Sequence, residues 1–190
     1  MEMSFRKLPD DQHEILVRAR KGPDVRLPVQ PVQPVQPVGP TMPNDLVHAV
    51  VETDLGIDDG FWGAMARGAT FQGFELVTPG RHRRSGMKVL RRGGAAVMAA
   101  ELSVNWAYRV WRGLSTEGRG VGRAPIDAEA LARTGPRLNA AARWAALPEG
   151  GGLLWRWSSD RWASAQMSLD DGSRRCCADM NHPMPIGSPP

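Results

Sequence analysis

The stretch Asp45-Leu-Val-His-Ala-Val-Val-Glu52 sets a histidine between two carboxylates at helical spacing. On a helix, Asp45, His48 and Glu52 leave one stripe, so their side chains can converge on a cation or share a proton. A catalytic metal generally needs about three protein ligands, an open position and an outer acceptor for the histidine, which one helix cannot complete alone. Glu101, which interrupts the apolar pattern of a later helix, is the remote donor. The same residues support a structural alternative. A partly buried Glu101 must be paired or hydrogen-bonded, His48 can serve it, and the two then tie two helices together without metal or reaction. Asp45 also suits a helix first turn, where a negative charge complements the dipole, and Glu52 suits a solvated position. Both alternatives are open at this level.

A second chemistry is cationic. Arg81, His82, Arg83, Arg84, Lys88, Arg91 and Arg92 fall within twelve residues at an expected helix start, where positive charge opposes the dipole. Arg81, Arg83, Arg84, Lys88, Arg91 and Arg92 could hold phosphates or an acidic partner, although no helix-turn-helix, zinc-finger or aromatic RNA-binding pattern accompanies them. The aromatic side chains Trp155, Trp157 and Trp162 crowd a short run, and three large rings are hard to bury together, so they are expected to form a surface that meets a partner.

Other chemistries are thin. The adjacent Cys176 and Cys177 exclude a disulfide framework, and with His182 they lack the C-x-x-C spacing and fourth ligand of a zinc site. G-x-S-x-G and H-E-x-x-H are absent, and Gly-Arg-Gly-Val-Gly at 118–122 runs into Arg-Ala-Pro rather than a phosphate-binding turn. The net charge of +4 suits an acidic partner, but 24 basic residues with only three lysines reflect an arginine-rich, GC-biased composition as readily as a binding surface.

The elements that must position these groups follow from patterning. A chain of 190 residues with 42% apolar content supports one core. Residues 1–27 alternate as a β-hairpin around Pro9-Asp10-Asp11. Residues 28–40 repeat Pro-Val-Gln with the three-fold period of polyproline II, which reads as an extended spacer rather than a ligand for an SH3-like domain. Residues 41–164 form a helical core with a final strand, and residues 165–190 read as a disordered tail. Within the core, one helix runs from Asn44 to a stop at Gly56, with Thr41 or Asn44 as cap. A short helix capped by Asp58 or Asp59 follows; residues 69–84 form a loop; a single long helix covers Ser85 to Arg112; and two helical stretches are separated at Gly135-Pro136. Residues 153–157 suit a strand that could join the hairpin. The expected fold is therefore α+β, with a small antiparallel sheet packed on four or five helices.

The hairpin, the helix Asp45–Glu52 after a proline, and Gly-Phe-Trp-Gly at 60–63 together resemble a set of small uncharacterised bacterial proteins, over about residues 1–160. The resemblance implies a fold and no activity. No apolar run reaches the span of a membrane helix or a signal-peptide core, so a cytoplasmic protein that does not engage membranes is expected. The first functional expectation is a non-catalytic interaction protein without a cofactor, meeting a protein partner through its aromatic and basic surface. The alternatives are an enzyme holding a divalent metal at His48, and a nonspecific nucleic-acid binder.

Overall fold

Alternation decides the first two strands, β1 (Glu2–Leu8) and β2 (Gln12–Arg18). Met3 faces Val17 and Phe5 faces Ile15, all four fully buried on one side of the pair. The turn between them holds Asp10 and Asp11 at positive φ, 56° and 51°, as a tight right-twisted hairpin requires. The computed structural model describes residues 1–31, 42–81, 84–117, 124–157 and 168–170.

The hairpin is extended by a third strand, β3 (Val25–Pro31), so residues 28–31, which composition assigns to the spacer, lie in the sheet. The register shifts between His13 and Ile15, where Pro28 and Val29 oppose Glu14 alone. A bulge is where a strand tolerates proline, because the missing N–H is not required by the ladder. The rest of the Pro-Val-Gln repeat lies outside the described residues.

The helical layer begins with α1 (Asn44–Leu55), which buries Leu46, Val47, Val50 and Val51 and stops at Gly56 with φ 63°. It starts after Pro43 without a side-chain cap, so Asn44 does not take the expected capping role. α2 (Phe61–Ala66) follows. The expected loop after it contains β4 (Ala69–Thr70) and β5 (Glu75–Leu76), with Phe71 and Phe74 buried between them, and β6 (Arg84–Ser85) pairs in parallel with β4.

The single long helix expected over Ser85–Arg112 is two helices, α3 (Gly86–Gly93) and α4 (Ala95–Trp111). Gly94 separates them at φ 47° and ψ −114°, a conformation no helix contains. The opposite departure occurs in α5 (Ala128–Ala141), which runs through Pro136 without ending. Its buried positions, Ala130, Thr134, Leu138 and Ala141, keep helical spacing across the proline. Asp54 on α1 binds Arg137 at 2.7 Å and accepts from Thr134, which holds both sides of the proline against α1. A 3-10 turn (Ala142–Ala146) leads to β7 (Gly152–Arg156), and β8 (Ser168–Asp170) pairs beside it. The remainder of the expected tail lies outside the described residues.

The sheet order is β5-β3-β2-β1-β7-β8, every pair antiparallel. One face carries Met3, Phe5, Ile15, Val17, Val25, Leu153 and Trp155 into a core shared with α1, α2, α4 and α5. The other carries cross-strand ion pairs, Arg6–Glu14, Glu2–Arg156 and Arg26–Glu75. The fold is thus α+β, an antiparallel sheet with five α-helices among the described residues. Among the described residues, no helix is long and apolar enough to cross a membrane.

Candidate functional site

The chemistry of the site starts from Glu52, which is fully buried although its sequence context suggested a solvated position. α1 delivers its carboxylate to the start of α2, a helix with no cap of its own. The Phe61 N–H donates to Glu52 Oε1 at 3.2 Å; the Trp62 and Gly63 N–H groups donate to Oε2 at 2.9 and 3.4 Å. These first-turn donors have no partner inside their own helix, and the helix dipole there favours an anion. Glu52 therefore caps α2 from another helix, the role that sequence assigned to Asp58 or Asp59. Gly60 makes the approach possible, because a Cβ there would stand 2.4 Å from the Glu52 carboxylate carbon.

His48, 12% exposed, completes the arrangement. Its Nδ1 lies 3.1 Å from Glu52 Oε1, and its Nε2 lies 3.6 Å from Oε2 of the half-exposed Glu101 on α4. Burial opposes a charged imidazole. The hydrogen bond to Glu52 and the negative charges of Glu52, Glu101 and Asp45 outweigh that opposition and hold the His48 pKa above its ordinary value. The ring joins α1 to α4 and is joined through Glu52 to α2.

Asp45 takes another direction. Its carboxylate lies 3.6 Å from Nε2 of the buried His13 on β2, and its carbonyl accepts from Trp62 Nε1 at 2.9 Å. His13, packed edge-on to Trp144, has no hydrogen bond at either ring nitrogen among the described residues. Sequence gave no signal for its place, because only the packing of β2 on α1 brings His13 and Asp45 together.

Of the four candidate metal ligands, the fold gathers His48, Glu52 and Glu101 and turns the Asp45 carboxylate to His13. Both Glu52 oxygens are occupied by backbone N–H donors, and among the described residues no group of three or more His, Cys, Asp or Glu side chains is arranged to hold a metal ion. What this arrangement does chemically is fix three helices around one buried, hydrogen-bonded charge.

The aromatic surface is corrected. Trp155 and Trp157 are 1% and 8% exposed, since Trp155 on β7 and Trp157, two residues on and just past the strand end, both turn into the core. Trp155 Nε1 donates to Thr53 Oγ1 at 3.1 Å, so even its polar edge is used inside. Trp162, like Cys176, Cys177 and His182, lies outside the described residues.

The basic cluster is the part that faces water. Arg81, Lys88, Arg91 and Arg92 are exposed, and none has an ion-pair partner among the described residues. Arg91 and Arg92 occupy the last turn of α3 rather than a helix start, so the dipole favours them where sequence had set them against it. Arg84 lies in β6; Arg83 and the Arg84 side chain are outside the described residues. No protein-family model, curated protein or solved structure matches the chain.

Proposed function

We propose that the protein is a non-catalytic binding module whose basic surface, Arg81 together with Lys88, Arg91 and Arg92 on α3, engages an acidic protein partner. One observation carries the reading: these four exposed cations fall within twelve residues of chain and have no ion-pair partner among the described residues, whereas Arg6, Arg26, Arg67, Arg133, Arg137 and Arg156 each meet a carboxylate. Arg18, Lys21 and Arg143 are also exposed without an ion pair among the described residues, so it is the concentration of cations along α3 that favours an acidic partner. The enzyme alternative at His48 has no comparable support, because the carboxylate it needs is already committed to capping α2.

The test is a titration of a fluorescent aspartate- and glutamate-rich peptide against the wild-type protein and the double variant Arg91→Glu, Arg92→Glu. Loss of affinity on the order of tenfold or more in the variant is expected, each tenfold corresponding to about 1.4 kcal/mol. Equal binding by both proteins would sink the proposal. Tighter binding of a DNA or RNA oligonucleotide, with affinity falling steeply between two salt concentrations, would replace it with nucleic-acid recognition.

A further inference from the structure

Arg20 is a buried cation that no carboxylate meets in an ion pair among the described residues; it is 8% exposed. Its Nη1 donates to the sulfur of buried Met65 on α2, its Nη2 donates to Thr70 Oγ1 at 3.2 Å, and its Nε has no partner among the described residues. Burial pulls the guanidinium below its ordinary pKa, and Asp24, whose Oδ1 accepts from the Ala19 N–H, opposes this only in part. A buried charge is costly until an opposite charge meets it. Residues 82–83, which precede β6, are histidine and arginine and cannot supply one.

The bond to Thr70 brings Arg20 to the start of α3. β4 and β6 pair in parallel with Thr70 opposite Ser85, so these two side chains leave the same face of the ladder, on strands about 4.8 Å apart. Their chain neighbours point the other way, where Phe71 stacks on Phe61 and a Cβ on Gly86 would stand 2.4 Å from the Phe71 ring. Ser85 is exposed and precedes α3 without capping it through its side chain. The first-turn N–H groups of α3 therefore have no side-chain cap, and that turn holds no acidic residue. Lys88, three residues after Ser85, lies on the same side of the helix start. Thr70 Oγ1 accepts from Arg20, and its own hydrogen has no acceptor among the described residues. We infer that the start of α3 binds a phosphate-sized oxyanion, held by the first-turn N–H groups, the Ser85 and Thr70 hydroxyls, Lys88 and the Arg20 guanidinium. Every group gathered there donates a hydrogen bond or is positive, and the anion brings the charge that buried Arg20 lacks. The ligand is a small anion rather than the protein partner proposed above. Arg91 and Arg92, about 9 Å or more along the helix axis from Ser85, take no part in holding it.

The test is calorimetry of inorganic phosphate, at millimolar concentrations, with the full chain in about 0.15 M sodium chloride, where attraction to diffuse surface charge is screened. Saturable binding of one phosphate per chain is expected. Ser85→Asp sets a carboxylate where the anion would sit; it should abolish phosphate binding and, as a new cap, raise the melting temperature by about 2–4 °C. Arg20→Gln should weaken binding on the order of tenfold or more. Far-ultraviolet spectra would certify that the variants are folded. Arg20 is buried and Ser85 exposed, so Ser85→Asp decides the matter should Arg20→Gln fail to fold. Arg91→Glu, Arg92→Glu should shift the affinity by less than about threefold, since its charges are screened over that distance. O-phosphoserine in place of inorganic phosphate separates two sources of the same group: binding of both extends the site to monoesters, and binding of phosphate alone confines it to the free ion, with the anion at α3 in either case. No phosphate binding beyond that of chloride would overturn the site, as would undiminished binding by Ser85→Asp. Equal loss in Ser85→Asp and in the Arg91, Arg92 variant would overturn it too, by showing that only diffuse positive charge had been read.

Discussion

At the scale of single residues, Glu52 is the side chain on which the helical layer depends. Glu52→Ala leaves the Phe61, Trp62 and Gly63 N–H groups without their acceptor in a buried place and removes the His48 partner, so urea unfolding should give a loss of about 2–4 kcal/mol. Gly60→Ala should also destabilise, by about 1–3 kcal/mol, because its new methyl group meets the Glu52 carboxylate. Gly60 has φ −75° and ψ −174°, which any residue adopts, so the clash is the whole cause and most of that cost should vanish when Glu52 is already alanine. Additive losses in the double variant would show that Gly60 is required for another reason. His48 carries a pH signature. Its folded pKa is raised, so protonation favours the folded state; its contribution is complete below the ordinary value of about 6.5 and is lost as pH rises through the folded pKa. Denaturation of wild type and His48→Gln should therefore differ most near about pH 6 and converge on the alkaline side, and a difference that grows with pH would contradict the ion pair.

At the scale of elements, what sequence showed was what local physics controls. α1 was legible because an apolar stripe and a glycine stop at Gly56 agree. The His48–Glu52 and His48–Glu101 contacts were legible because four-residue helical spacing and an interrupting carboxylate point to them. β3 was not, since Pro28 argues for a spacer and only the bulge opposite Glu14 admits it to the sheet. Nor was the cap of α2, because its carboxylate arrives from another helix. Trp155 and Trp157 were misplaced for a related reason: same-facing rings look excessive on an isolated strand, yet the helical layer makes a core that takes both, with Thr53 on α1 accepting from Trp155. Pro136 and Gly94 give the sharpest contrast, one sitting inside a helix and the other dividing one. Gly94→Ala should destabilise the protein by about 1–3 kcal/mol in chemical denaturation, since a side chain is strained at φ 47° and ψ −114°. A gain in stability, as expected of alanine inside a helix, would mean that α3 and α4 can form one continuous rod.

At the scale of the whole molecule, β1 is the centre of the sheet, and its two neighbours come from opposite ends of the described chain. β2 follows it after a tight turn, whereas β7 arrives from Gly152–Arg156 and closes Met3 against Trp155 and Phe5 against Leu153. The Met1 ammonium and carbonyl both bond Trp157, at 3.2 and 2.8 Å, so the closure extends to the first residue. Such a contact must gather a loop of about 150 residues, and its entropic cost is met only when the aromatic side chains of β7 enter the core. Leu153, Trp155 and Trp157 are then a condition for the helices to pack at all, since Trp155 also anchors Thr53 on α1. A chain ended at Gly151 should keep the α1 and α4 sequences yet lose a cooperative thermal transition, because the sheet would have a raw edge at β1 and the core a gap the size of two indoles and a leucine. Calorimetry of that shortened chain beside the full one decides the matter. A sharp transition in both would mean that α1, α2, α4 and α5 hold together around Glu52 without the closing strand, and that the buried charge rather than the sheet organises the fold.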